Sequence, residues 1–362
     1  MRLSIYVFGL LLVLGPAGAG QAETADTATS PTSCTPARQQ ALRAIVERKL
    51  GSYRDQFPDI EFVLLSGRDQ REQAIVELLW LLGDGAANLD YEHPPELRAD
   101  LLQVSLARIA VLMRYGASSS ALFQVGTNGQ SPRPRLCVLT LDACTVAKDD
   151  RQATSYMLDL PEQEFARMPE NQHLDADLHL EYVIDHEIHH CLMAHRGEPI
   201  PMSTRKFWPG YMQRRNEMAA DAYGLAMHIL KFGPDSQYVR TLIAVRGLSL
   251  MAGDPDHYTP VSMGATLENL CQQVDSGSAL ERALAVATTV RDTLDRGYED
   301  YLKYRYAAYL AMRRLGVEDD VGPSVLARLP GYQPDPARVD KLLHDTSMHY
   351  QLLFGGPLTV GR

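Results

Sequence analysis

The chain has no cluster of basic residues longer than a dipeptide, and its formal net charge is −10. That absence argues against a nucleic-acid binder and against a protein held on anionic membrane surfaces. No C-x-x-C pair occurs among the five cysteines Cys34, Cys137, Cys144, Cys191 and Cys271, which speaks against thiolate metal sites and dithiol redox catalysis. Beyond residue 14 no apolar run approaches the roughly 20 residues that a membrane-spanning helix needs. An internal repeat of solenoid or propeller length is also missing. What remains is ordinary globular composition, 45% apolar and 22% charged, over 362 residues. Such a length suits one large domain or two smaller ones.

The first residues are built differently from the rest. Met1-Arg2 precedes the apolar run Leu3–Leu14, and Gly15-Pro16 and the small residues 17–22 follow it. This is the pattern of a signal peptide over 1–22, cleaved after Ala19 or Ala22. The expectation is an exported protein, periplasmic or secreted, with no integral span after cleavage. Residues 23–36 are rich in Thr, Ala and Ser and read as a disordered linker. In an exported chain an odd number of cysteines leaves at least one free thiol. Cys137–Cys144 is the candidate local bridge and Cys34–Cys271 a second pairing, with Cys191 as a buried apolar residue.

The chain's chemistry centres on His186-Glu187-Ile188-His189-His190, an H-E-x-x-H pentapeptide. Leu178, Leu180, Val183, Ile184, Ile188, Cys191 and Leu192 recur at helical rather than alternating spacing, predicting a helix over 178–195. Residues four apart on a helix stand about 5–6 Å apart at Cβ. His186 and His190 can therefore aim two imidazoles at one ion, with Glu187 beside them within reach of a water. Zinc suits imidazole nitrogen and a tetrahedral arrangement.

Zinc in such a site needs a third protein ligand. A third histidine six residues past His190 would supply one, but that position is Arg196. His195 lies nine residues after His186, about half a turn round the helix, and faces away. The other route is a carboxylate from a second helix. Tyr211–Phe232 is rich in Ala, Met and Leu, stops at Gly233-Pro234, and carries Glu217 and Asp221 four apart on one face. One of the two can bind the ion while the other accepts the spare N–H of a ligand histidine. Ala219, Ala220 and Ala222 would allow close helix approach.

These two segments, His186 to His195 and Glu217-Met218-Ala219-Ala220-Asp221, resemble the gluzincin metallopeptidases, and most closely the HtpX/BepA-type group. The resemblance covers about forty residues. It implies an α+β fold, a mainly helical zincin-like metallopeptidase domain over 37–362 with a small β-sheet preceding the HExxH helix. It implies one Zn2+ per chain with His186, His190 and Glu217 as ligands, Glu187 as catalytic base, and Asp221 orienting a ligand. His257, in Asp254-Pro255-Asp256-His257-Tyr258-Thr259-Pro260, resembles a histidine near a proline in that group. His257 or Tyr258 could stabilise the oxyanion of the reaction.

The remaining elements are scaffold. Helices are expected over 37–50, 71–82, 95–115, 237–251, 267–274 and 280–315, and strands over 60–65, 121–125, 136–141 and 154–160. The second and third strands read as a hairpin across a turn-rich connection. An edge strand of this sheet would bind an extended peptide or protein substrate through main-chain hydrogen bonds. The proline-rich loop 198–210 could wall the cleft. His179 lines the helix too far from His186 to share its ion, and His228 reads as structural. Tyr298, Tyr301, Tyr304, Tyr306 and Tyr309 share helical spacing that fits core packing. The reading is a zinc metalloendopeptidase; the alternative is a non-catalytic periplasmic zinc-binding interaction protein.

Overall fold

The computed structural model describes residues 34–65, 117–122, 135–158, 160, 162–195, 208–272, 277–317 and 335–358. The expected signal peptide, the helices over 71–82 and 95–115, and most of the loop 198–210 lie outside them. The described residues are mainly helical with one small sheet, an α+β arrangement. They divide into two compact units, one drawn from 30–153 and 176–199, the other from 154–175 and 200–362.

The first unit begins at Cys34, which is buried and disulfide-bonded. Thr35 then accepts a hydrogen bond from the Arg38 amide and caps helix α1 (Pro36–Gln56), with Pro36 in the first turn. Thr and Pro are favoured at these positions, so the last residues of the expected linker already belong to the fold. Strand β1 (Ile60–Leu65) follows, then β2 (Ala117–Leu122) and β3 (Arg135–Leu141). The order is β1-β3-β2, with β3 central, parallel to β1 and antiparallel to β2. Phe62 pairs with Cys137 and Ala121 with Cys137 across the two ladders. The expected antiparallel pair is present, although its first strand starts four residues earlier than the sequence suggested.

Cys137, Leu139 and Leu141 alternate along β3, share one face and are buried. Helix α4 (Ala176–His195) packs against β2 and β3 and also meets α1. Between β3 and α4 come α2 (Ala143–Ala147) and α3 (Asp150–Leu158). Helix α3 corrects the expected strand over 154–160. Asp149 accepts the Gln152 amide hydrogen bond at 2.8 Å, an N-cap that starts a helix ahead of the short apolar run.

The disulfides differ from expectation. The bridges are Cys34–Cys144 and Cys137–Cys191, and Cys271 is free and exposed. Cys137 lies within β3 and Cys144 beyond its end in the following helix, α2, and each finds a partner on another element instead. Cys191 is buried as expected, but as half of a bridge.

The second unit is helical: α5 (Trp208–Phe232), α6 (Gln237–Arg246), α7 (Pro260–Gln272), α8 (Ala279–Leu294), α9 (Tyr298–Arg314) and α10 (Pro336–Phe354). Helix α5 is its hub, packing on α7, α8 and α9. Ala219, Ala220, Ala222 and Ala226 are buried along it. Gly233 ends α5 at φ 87°, a left-handed stop that glycine adopts without a Cβ clash. The single helix expected over 280–315 is two. The first ends with Asp295 extended, and Gly297, φ 83°, precedes the second, its amide donating to Asp295 at 2.9 Å. Tyr301, Tyr304 and Tyr309 are buried, the first two in a core cluster with Leu302, Met312 and Leu342. Among the described residues no helix is long and apolar enough to cross a membrane.

Candidate metal centre

Helix α4 is buried on almost every side. Alongside Leu180, Val183, Ile184, Ile188 and Leu192 it buries His179, Asp185, His186 and His189. Its first amide, that of Ala176, donates to Asp150 at 2.9 Å, so the helix end has a side-chain acceptor. His186 and His190 sit one turn apart, and their Nε2 atoms are 3.2 Å from each other with rings nearly perpendicular at 83°. Two nitrogens that share the same chemical preference thus converge on one point. Glu187 is half-buried on the same helix.

The residue before the pair is itself anchored. Asp185, 2% exposed, accepts from Lys49 Nζ at 2.6 Å and from the Tyr53 hydroxyl at 2.7 Å. Burial pushes the Asp185 carboxyl up, and Lys49 and Tyr53 counter this only in part. One helical turn earlier, Glu181 takes a hydrogen bond from Arg48 at 2.9 Å. Neither α1 partner carries a sequence motif; their signal is only that a buried acid on α4 requires a cation or donors.

In the second unit, Glu217 and Asp221 lie on α5, and both are buried. Asp221 is held through both oxygens, by Arg246 Nη2 at 2.6 Å and by the Thr259 hydroxyl. His257 Nε2 lies 3.1 Å from Glu217 Oε2, and its Nδ1 lies 2.6 Å from Asp254 Oδ2. Burial alone would lower the imidazole pKa; Asp254 and Glu217 outweigh it and hold His257 well above the usual value. Burial likewise acts to raise Asp254, and His257 and Arg246 bring it below the ordinary carboxylate range.

The loop that carries His257 is pinned at several points. Arg214 Nη1 donates to the carbonyls of Pro255 and Tyr258 at 2.9 and 3.0 Å, and its guanidinium sits 3.6 Å over the Tyr304 ring. Tyr304 donates to the Pro255 carbonyl, and Ser249 to that of His257. Tyr258, the other oxyanion candidate, is 3% exposed and packs in the core cluster with Tyr301 and Met312. Sequence reading found His257 but missed Asp254, Arg246 and Thr259. The spacing Asp254-x-x-His257 was the one available signal, since a side chain three residues back in a turn can accept a ring N–H.

His186, Glu217 and His257 are side chains able to hold a metal ion. No family model, curated protein or solved structure matches the chain. Two further histidines make local contacts. His228 lies tilted 4.6 Å from the Tyr238 ring and 3.3 Å from the Ser236 hydroxyl, and His179 sits 6.1 Å from the Tyr182 ring.

Proposed function

We propose that the chain is an exported zinc metallopeptidase of the gluzincin type, hydrolysing peptide bonds with zinc held by His186, His190 and Glu217. The observation that carries this reading is the 3.2 Å approach of the two Nε2 atoms. Nitrogens bound about 2.0–2.1 Å from a tetrahedral ion stand about 3.3–3.4 Å apart. The pair is therefore spaced for one small tetrahedral ion with almost no movement. Glu217 adds an oxygen donor to two nitrogens, a set that leaves a fourth position open.

When bound, zinc supplies a Lewis acid that polarises the scissile carbonyl and makes a water acidic enough to attack near neutral pH. Glu187 follows a ligand histidine directly and takes the proton of the attacking water. It then gives that proton to the leaving amine, serving as base and acid in turn. Asp254 holds the Nδ1–H of His257, so that Nε2 points to the Glu217 carboxylate. From there a protonated ring can donate to the oxygen on which charge develops. Asp221 keeps α5 in place through Arg246 and Thr259. Strand β2 sits at the edge of the described sheet and packs on α4. An extended peptide adding to that edge would gain main-chain hydrogen bonds beside the HExxH helix.

The test is Glu187→Gln in the full chain, with a reduced and alkylated protein as an extended substrate. Zinc content and thermal midpoint should match the wild type, while the cleavage rate falls about 10²–10⁴-fold. A folded wild-type chain that takes up no zinc overturns the reading. Full cleavage by the variant with zinc in place removes Glu187 from the chemistry, and absence of cleavage by either protein favours a zinc-binding interaction protein.

A further inference from the structure

The histidine pair is bracketed by two tethers. Asp185 precedes His186 and is held by Lys49 and Tyr53 of α1. Cys191 follows His190 and is bonded to Cys137 on β3, the central strand. We propose that the Cys137–Cys191 disulfide positions His190, and that it makes metal capture by the pair conditional on oxidation of these two cysteines. The proposal rests on the zinc reading above and adds a form of regulation to the same site.

The two tethers divide the work. His186 stands ten residues into α4, next to a buried acid with two partners. His190 stands one turn further along α4, directly before the bridged Cys191. A covalent bond at Cys191 fixes the turn that carries His190 to the sheet, where a hydrogen-bonded turn alone would be free to loosen. Two ligands must keep their separation to share an ion, so the tether acts on affinity through geometry.

The chemistry of breaking the bond is a two-electron exchange. A dithiol attacks one sulfur as thiolate, passes through a mixed disulfide, and leaves as its own disulfide while Cys137 and Cys191 each take up a proton. Both residues are at most 1% exposed, so attack requires local opening. The lock therefore closes as the chain folds under oxidising conditions and stays closed afterwards. A chain that folds with these cysteines reduced keeps two small buried thiols, which still pack, but it lacks the tether. Its His190 is then poorly placed, and the chain remains metal-poor in a reducing compartment.

Cys34–Cys144 is an internal control. It lies in the same unit and joins the residue before the α1 cap to α2 rather than to the metal helix. A bridge that only stabilises the fold predicts the same behaviour for both pairs. The experiment compares Cys137→Ala/Cys191→Ala with Cys34→Ala/Cys144→Ala in the full chain. It reads zinc affinity by competition with a chromophoric chelator, alongside thermal midpoint and helical circular dichroism. The first variant should stay folded and bind zinc about 10–100-fold more weakly, the range for losing a partner that orients a ligand. The second should lose thermal stability and keep wild-type affinity. Equal affinity in the first variant and the wild type overturns the proposal, and so does an equal loss of affinity in both variants. Should the first variant fail to fold, wild-type protein is reduced with a phosphine in sub-denaturing urea. Zinc should then leave in step with alkylation of Cys137 and Cys191, and zinc retained on molecules with that bond cut overturns the proposal. An oxidised wild-type chain that takes up no zinc is a different result, because it overturns the zinc reading itself.

Discussion

His257 and Asp254 form a side-chain pair with a fixed donor: the carboxylate can only accept, so the 2.6 Å contact puts a proton on Nδ1. The other ring nitrogen is thereby directed to Glu217, 3.1 Å away. Two carboxylates on opposite sides of one ring define its orientation more firmly than either could alone. Metal-site histidines are commonly held in this manner.

Asp254→Asn tests that arrangement without any metal. In metal-free wild-type protein the Nδ1–H of His257 should give a downfield, exchange-protected proton resonance. The variant should lose it, and His257→Gln should lose the same signal. A spectrum unchanged by Asp254→Asn would show that the ring is held by something else.

Glu217 and Asp221 should separate cleanly. Glu217→Ala is expected to cost metal retention, since it removes a proposed ligand. Asp221→Ala leaves the buried Arg246 without its 2.6 Å partner, and breaking a buried pair from one side costs about 3–5 kcal/mol. Denaturant unfolding should thus show Asp221→Ala as the less stable of the two, and metal analysis should show Glu217→Ala as the poorer binder. The opposite order in the metal assay would make Asp221 the ligand.

Gly247 closes α6 where His349 of α10 crosses it. A Cβ at 247 would lie 2.1 Å from His349 Cδ2, far inside contact distance. The backbone there is ordinary right-handed helix, φ −67°, so the obstacle is space alone. Gly247→Ala should destabilise by about 1–3 kcal/mol, as overpacking does. Gly247→Ala combined with His349→Ala should recover most of it in the same denaturant titration.

The same histidine gives the fold a pH dependence. Burial lowers the His349 pKa below its ordinary 6.5, with Asp345 pulling weakly the other way. The folded state therefore binds fewer protons than the unfolded one. Stability is full above the unfolded value and falls as pH drops through about 6.5 towards the folded pKa. His349→Gln should flatten the thermal midpoint across that window. A midpoint that falls equally in both proteins would assign the effect to other groups.

The helix that carries His186 and His190 was legible because its information is local. An apolar recurrence near every third or fourth residue makes a helix, and a helix of known rise sets His186 and His190 on one face. Glu217 and Asp221 came out of the same reasoning. The strand expected at 154–160 failed because the Asp149 cap outweighed a short run that could pack either way. The uninterrupted helix over 280–315 failed because the backbone turns extended at Asp295 and a new helix starts after Gly297 at positive φ.

What the sequence determined by itself was the set of chemical groups and their spacing along each helix, since bonded geometry carries both. Which cysteines pair and which cation meets Asp185 depended on chain segments far apart in sequence. Lys49 and Asp185 are 136 residues apart, and Cys34 and Cys144 are 110 apart. No periodicity links such positions. They meet because burying α4 against the sheet and α1 forces its polar residues to find partners there, where an unpaired buried charge costs more than folding can supply.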